Sequence, residues 1–214
     1  MTQTIWVARH GTREDFLDPT WRLRAKRPFD PALSRSGHQQ AKELAHHLQD
    51  QPIDLIFASP FYRTLQTASY SASQLGLSLR PEWGIAEHLQ ELKDDPDIIS
   101  PGEASSEFPY LDWGHVSVLH PTYPESTEAA CARAATAVRA LADQYPAQNL
   151  LFVSHATIVV GIVRQLANIQ RRINVPVCSL FELRRQEDGW ELVREADISH
   201  LSDKPLSLRH AWGF

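Results

Sequence analysis

Short apolar runs alternate with longer stretches in which apolar residues recur every three or four positions. Thr4 to Ala8 is an apolar, β-forming run ending at Arg9-His10-Gly11, which predicts a strand feeding a turn. Ser36-Gly37 opens a stretch in which Ala41, Leu44, Ala45 and Leu48 share one helical face, stopping before Pro52. Ile53 to Ala58 predicts a second strand. Ser59-Pro60 then predicts a proline in the first turn of a helix carrying Arg63, Leu65, Ala68 and Ala72. A short strand around Leu77 to Arg80 and a turn at Pro81 follow. A long helix from about Ser126 to Gln144 buries Ala130, Ala134, Val138 and Leu141, and Leu150 to Ser154 predicts a strand giving way at His155 to a helix from Ala156 to Leu166. Leu180 to Leu183 and Trp190 to Val193 supply late strands, whereas the final stretch, ending in Trp212-Gly213-Phe214, carries no readable pattern.

Strands alternating with helices of this length predict an α/β fold of three layers, α/β/α, with a mostly parallel central sheet. A length of 214 residues suits one domain, 1–214. Between Asp94 and Thr122 the pattern lapses into Pro, Asp, Ser and Gly interleaved with Phe108, Tyr110, Trp113 and His115. Because long loops in compact domains are usually functional, and this one holds aromatics, we expect a substrate-facing insertion there.

Composition narrows the classes. A hydrophobic fraction of 43% with 22% charged residues is that of an ordinary globular protein. The net charge of −5 and pI near 6.0 argue against a nucleic acid partner, so any anion must be held by a local cluster of arginines. Two cysteines, Cys131 and Cys178, with no paired spacing, indicate neither a disulfide framework nor a thiolate metal site, and fit a reducing cytoplasm. The start Met1-Thr-Gln-Thr-Ile lacks an export pattern and no run approaches a membrane span, so neither export nor a membrane partner is expected. The adjacent His46 and His47 lack the spacing of a metal-binding helix and read as surface residues.

The most informative string is Val7-Ala8-Arg9-His10-Gly11-Thr12-Arg13, which puts a histidine between two cations where a strand enters a turn. Guanidinium forks match phosphate oxygens, and a glycine lets backbone amides approach an anion closely. Alone, Arg-His-Gly is a weak signal. It gains weight because two other strand ends carry chemistry, Ser59-Pro60-Phe61-Tyr62-Arg63-Thr64 and Val153-Ser154-His155-Ala156-Thr157, and in open α/β sheets ligands bind beyond the carboxyl ends of strands.

With these strings, and with Leu33-Ser34-Arg35-Ser36-Gly37-His38-Gln39-Gln40-Ala41 opening the first long helix, the sequence resembles the histidine phosphatase, or phosphoglycerate mutase-like, superfamily. The resemblance implies that His10 is a phosphoryl-accepting nucleophile and that Arg9, Arg63 and His155 bind the phosphoryl oxygens. Arg13 matches the second arginine of the branch with steroid-phosphate and tyrosine-phosphatase-like members; its bland alternative is a solvated loop cation. The general acid/base is expected in Pro81-Glu82-Trp83-Gly84-Ile85-Ala86-Glu87-His88-Leu89, where Glu87 aligns best and Glu82 and Glu91 compete. For His10 to attack, one ring nitrogen must be free of its proton, which follows if the other donates to a neighbouring acceptor such as a backbone carbonyl near Gly11. A protonated Glu87 would then serve the departing alcohol and, deprotonated, the incoming water.

This reading is a phosphomonoester hydrolase acting on a small phosphorylated substrate. One rival is a phosphoglycerate mutase, disfavoured because Arg13 and Phe16 stand where mutases typically carry Ser and Asn. The other is a non-catalytic phospholigand-binding module. An exposed edge strand or Trp-bearing surface could support a homodimer. The implied chemistry needs neither metal nor organic cofactor. Phosphate release from phosphomonoesters is therefore expected to persist in excess chelator, and loss of turnover on chelation, restored by a divalent cation, would contradict this.

Overall fold

The computed structural model describes residues 2–18, 20–90, 92 and 94–203; Glu91 and the Trp212-Gly213-Phe214 end lie outside them. The chain begins with β1 (Thr4–Arg9), a 3-10 turn (Glu14–Phe16), the short helix α1 (Trp21–Arg24), α2 (Arg35–Leu48) and β2 (Leu55–Ala58). Next come α3 (Tyr62–Leu75), β3 (Leu79–Pro81), a second 3-10 turn (Trp83–Ile85) and α4 (Pro101–Glu107). The remainder is α5 (Thr127–Gln144), β4 (Leu150–Ser154), α6 (Ala156–Leu166) and the hairpin β5 (Leu180–Gln186) and β6 (Gly189–Asp197).

Six strands form one sheet in the order β3-β2-β4-β1-β5-β6. The first four positions are joined in parallel, while β5 and β6 add an antiparallel edge. The period-two alternation of the strands divides the core. Ile5, Val7, Leu55, Phe57, Leu150, Phe152 and Phe181 pack with Ala134, Val138 and Leu141 of α5 and Ile158, Val159 and Ile162 of α6. Trp6, Ala8, Ile56, Ala58, Leu151, Val153 and Leu180 pack instead with Leu44 and Leu48 of α2 and Leu65, Ala68 and Ala72 of α3. Both faces are thus covered, as the unbroken apolar strands require.

Two local expectations need correction. Pro60 lies before α3 rather than in its first turn. The helix begins at Tyr62, whose otherwise unpaired N–H donates to Asp30 Oδ1 at 2.7 Å. Pro81 ends strand β3 instead of making a turn, a position tolerated because β3 is the sheet edge. The 94–122 segment lies against that edge: Leu79 N–H donates to Tyr110 O and Asp112 N–H to Leu79 O, each at 2.8 Å, while Phe108 is drawn into the core beside Ala104 and Ile99. Its aromatics and backbone serve edge coverage.

The strand end that carries His10 is set by its packing on the start of α2. Ser34 caps that helix, accepting from Gly37 N–H at 3.1 Å, while its own N–H donates to Thr12 O at 2.8 Å. Gln40 Oε1 accepts from Thr12 N–H at 2.9 Å. Gly11 and Gly37 face each other so closely that a Cβ on Gly37 would sit 2.1 Å from Thr12 O, and one on Gly11 2.7 Å from Gly37 O. The glycine after His10 therefore admits a helix. Its own N–H donates to Thr67 Oγ1 at 3.2 Å, so it is committed to α3 instead of offered to an anion. Gly37→Ala is expected to cost about 1–3 kcal/mol, as overpacking does, and to lower Tm by several degrees. An unchanged thermal midpoint would contradict this backbone-on-backbone contact.

Candidate functional site

The parallel ladder delivers the chemistry-bearing residues side by side. Beyond the last strand pairs, His10 N–H donates to Ser154 O at 3.0 Å, Ser59 N–H to Val153 O at 3.0 Å and Glu82 N–H to Ala58 O at 2.8 Å. The carboxyl ends of β1, β4 and β2 thus place His10, His155 and Ser59 side by side at one end of the central strands, where open α/β sheets bind ligands.

His10 is 2% exposed, and its Nδ1 lies 2.7 Å from Gly11 O. A carbonyl only accepts, so Nδ1 carries the proton and Nε2 is left with a free lone pair. Burial, then the charges of Arg63 and Arg9, hold this ring well below the usual histidine range. It is therefore neutral at pH 7. The His155 ring lies 5.4 Å away, fully buried, with Nε2 2.8 Å from Ser59 Oγ and Nδ1 3.2 Å from Glu87 Oε2. Burial brings His155 down to about 4 against the opposing pull of Glu87.

Three guanidinium groups surround this pair. Arg9 donates to Val175 O at 2.7 Å, and burial takes its pKa to about 10. Arg63, 1% exposed, donates from Nη2 to Glu87 Oε2 at 3.0 Å, and its Nη1 stands 3.6 Å from Asp30 Oδ1. The buried Nε–H groups of Arg9 and Arg63 have no partner among the described residues. Buried donors are rarely left so, which makes both arginines candidates for an anionic ligand. Arg13 is not a free solvated cation. It forms a two-pronged pair with Asp15 at 2.8 and 2.6 Å and lies 4.3 Å above the Phe16 ring.

Glu87 Oε2 accepts from Arg63 Nη2 and lies 3.2 Å from His155 Nδ1, a buried nitrogen that makes no hydrogen bond among the described residues, and Oε1 accepts from His88 N–H at 3.0 Å. Burial alone would raise its pKa, but the neighbouring His155 and the Arg63 cation hold it well below the usual carboxylate range. In the resting protein Glu87 is therefore a carboxylate. Glu82, a rival for the acid, is fully buried at the head of the 3-10 turn, binding Gly84 N–H at 2.7 Å and His115 Nε2 at 2.8 Å, away from the cluster.

Arg9, His10, Arg13, Arg63 and Glu87 line a cavity of about 400 Å³. His155 stands behind them. The outer wall is Phe16, Pro28, Phe29, Pro31, Leu89 and Leu92, with Arg22 also on the lining. The 94–122 segment contributes none of the described lining, whose outer part comes from residues of 15–31 and 88–92. No group of three or more His, Cys, Asp or Glu side chains among the described residues is placed to hold a metal, and none of the described helices is long and apolar enough to cross a membrane.

The sequence pattern of the histidine phosphatase superfamily (branch 1) matches residues 5–198. The chain belongs to this superfamily. An adenosylcobalamin/alpha-ribazole phosphatase of Escherichia coli (strain K12) is 26% identical over 97% of this chain and 99% of its own length. The transcription factor tau 55 kDa subunit of Saccharomyces cerevisiae is 41% identical over 41% of this chain, which spans 21% of that protein. Relatives at similar identity carry both phosphatase and phosphoglycerate mutase names. The fold is shared with the ecdysone phosphate phosphatase from Bombix mori, solved in complex with tungstate, at a TM-score of 0.75 and 19% identity, covering 91% of this chain and 93% of that one.

Within this histidine phosphatase domain several supporting residues escaped the sequence reading. Asp30 anchors both α3 and the Arg63 side, Asp15 holds Arg13, and Thr67 ties Gly11 to α3. Asp30 and Thr67 act through contacts with residues far along the chain, whereas Asp15 pairs with Arg13 two residues away.

His10, His155 and Glu87 all bind protons less readily folded than unfolded. Because the unfolded chain gains protons first, their contribution to stability is complete above about pH 6.5 for the histidines and declines as pH falls toward 4. Each tenfold difference in proton affinity is worth about 1.4 kcal/mol. Urea unfolding is expected to show stability falling between these limits, with a shallower slope in His155→Asn. Identical slopes in the two proteins would contradict a neutral buried His155.

Proposed function

We propose that this chain hydrolyses phosphate monoesters through a phosphohistidine on His10, with Glu87 as proton carrier and Arg9, Arg13, Arg63 and His155 as phosphoryl ligands. The observation carrying the reading is that Arg63 Nη2 and His155 Nδ1 converge on one anionic oxygen, Glu87 Oε2, at 3.0 and 3.2 Å, beside a neutral His10 whose Nδ1 is tied to Gly11. That carboxylate oxygen stands where a phosphoryl oxygen would be received. In this reading the Ser59 hydroxyl donates to His155 Nε2, keeping the Nδ1 proton on the side of the ligand.

When a phosphate ester takes up these donors, Glu87 loses its Arg63 partner and gains an anionic neighbour, and both changes raise its proton affinity. The proton comes with the substrate, whose second ionisation lies near pH ~6. His10 Nε2 attacks phosphorus in line as the ester P–O bond breaks, and the proton passes through Glu87 to the departing alkoxide. The phosphohistidine is then cleaved by water, whose proton Glu87 accepts. Guanidinium groups around the equatorial oxygens supply the charge stabilisation on which phosphoryl transfer depends.

The apolar wall of Phe16, Phe29, Leu89 and Leu92 suits the leaving alcohol. The test is Glu87→Gln assayed on an alkyl phosphate and on nitrophenyl phosphate. A loss on the order of 10²-fold or more is expected for the alkyl ester, which needs a proton to leave, and a much smaller one for nitrophenol, which does not. Equal losses on both would remove Glu87 from the role.

A further inference from the structure

Glu87 sits on a segment with almost no regular structure of its own, one residue beyond the cap of the 3-10 turn Trp83–Ile85. What fixes that segment comes from elsewhere. Arg133, on the buried face of α5, donates from Nη1 to Trp83 O at 3.1 Å and Gly84 O at 2.8 Å, and from Nη2 to Ala86 O at 3.2 Å. The same guanidinium forms a two-pronged pair with Glu125, at 2.8 Å from Nε and 2.7 Å from Nη2. Arg133 and Glu125 are 9% and 8% exposed, and neither lines the cavity. Two more bonds reach the far side of the segment: Tyr123 Oη donates to Glu87 O at 3.1 Å, and His88 Nε2 donates to Glu125 O at 3.0 Å. From the sheet side, Ser154 Oγ donates to Ile85 O at 2.7 Å.

We propose that Arg133, clamped by Glu125 and assisted by Tyr123, is a positioning residue for the Glu87 carboxylate. The inference rests on the reading of Glu87 as proton carrier. Its physical basis is the number of bonds directed at one short stretch of backbone: a planar fork with five N–H donors spans three carbonyls and a carboxylate at once, which an ammonium on a flexible stem cannot do. Glu125 balances the buried charge, so that the clamp serves through geometry. The close seating of Gly84 on α5, where an added Cβ would lie 2.4 Å from Ala137 Cβ, fixes the distance over which the fork must reach. A proton carrier that drifts by about 1 Å loses much of its effect, whereas Arg9 and Arg13 are held by Val175 O and Asp15, outside that loop.

The test compares wild type, Arg133→Gln, Arg133→Lys and Tyr123→Phe on alkyl and nitrophenyl phosphates, each in the presence and absence of Glu87→Gln. With the soluble folded protein, Arg133→Gln is expected to lower kcat on the alkyl ester by roughly tenfold or more while changing nitrophenyl phosphate turnover little, with KM for both nearly unchanged. Lysine should restore part of the loss. In the Glu87→Gln background Arg133→Gln should cost nothing further, because the group it places is already disabled. Equal losses on the two esters, or additive losses in the double variant, would overturn the proposal. Should Arg133→Gln fail to fold, Tyr123→Phe, which deletes one hydroxyl, decides: the same ester-selective and non-additive pattern at smaller size supports the clamp, and its absence refutes it. If Glu87→Gln alone shows no preference between esters, the proton-carrier reading fails first, independently of Arg133.

Discussion

The constraint on which this structure depends is the burial of Arg63. A guanidinium that is 1% exposed keeps its charge in the interior only if carboxylates answer it, and Glu87 and Asp30 approach it at 3.0 and 3.6 Å. Each of those carboxylates is in turn tied to backbone. Asp30 receives Tyr62 N–H at the start of α3 and Ile99 N–H, and Glu87 receives His88 N–H. One buried cation therefore fixes a helix start, a distant loop and the carboxylate beside His10. It also helps keep His10 neutral, because a second positive charge next to Arg63 and Arg9 is unfavourable.

The same economy runs through the approach to the cavity. The Arg-His-Gly turn is held from behind by α2, through Ser34, Gly37 and Gln40, and from the side by Thr67 of α3. Glu87 arrives on a loop held by α5. The two catalytic candidates are thus mounted on opposite helical layers of the sheet and meet at the ends of its parallel strands, so their separation depends on how both layers pack, an arrangement suited to holding a nucleophile and a proton carrier on either side of a phosphoryl group.

Much of this was legible in the order of residues because it rests on local periodicity. The alternation Ile5, Val7 against Trp6, Ala8 marks β1 as a strand buried on both sides, and the spacing Ala41, Leu44, Ala45, Leu48 marks one face of α2. His10, Arg63 and His155 were legible because each lies at a strand end or on the helix that follows one, inside a recognisable string. What stayed hidden depends on contacts between residues far apart in sequence. Nothing in Phe29-Asp30-Pro31 marks Asp30 as the cap of α3, and Arg133 falls at an apolar position of a helix whose pattern gives no hint of a carbonyl clamp. The packing of the aromatic 94–122 segment was hidden for the same reason: aromatics signal burial or binding alike, and here Phe108 lies in the core while the backbone at Tyr110 and Asp112 covers the open edge of β3. The ionised state of Glu87 is likewise a property of its neighbours and invisible in the string that contains it.

The account stands on covalent participation of His10, and the most direct measurement is to mix the protein with a radiolabelled phosphomonoester, quench within the first turnovers, and follow the label on the protein. The account predicts a phosphoryl adduct that is labile in acid, stable in base, mapped to His10, and absent together with turnover in His10→Ala. Sustained turnover by His10→Ala would contradict it.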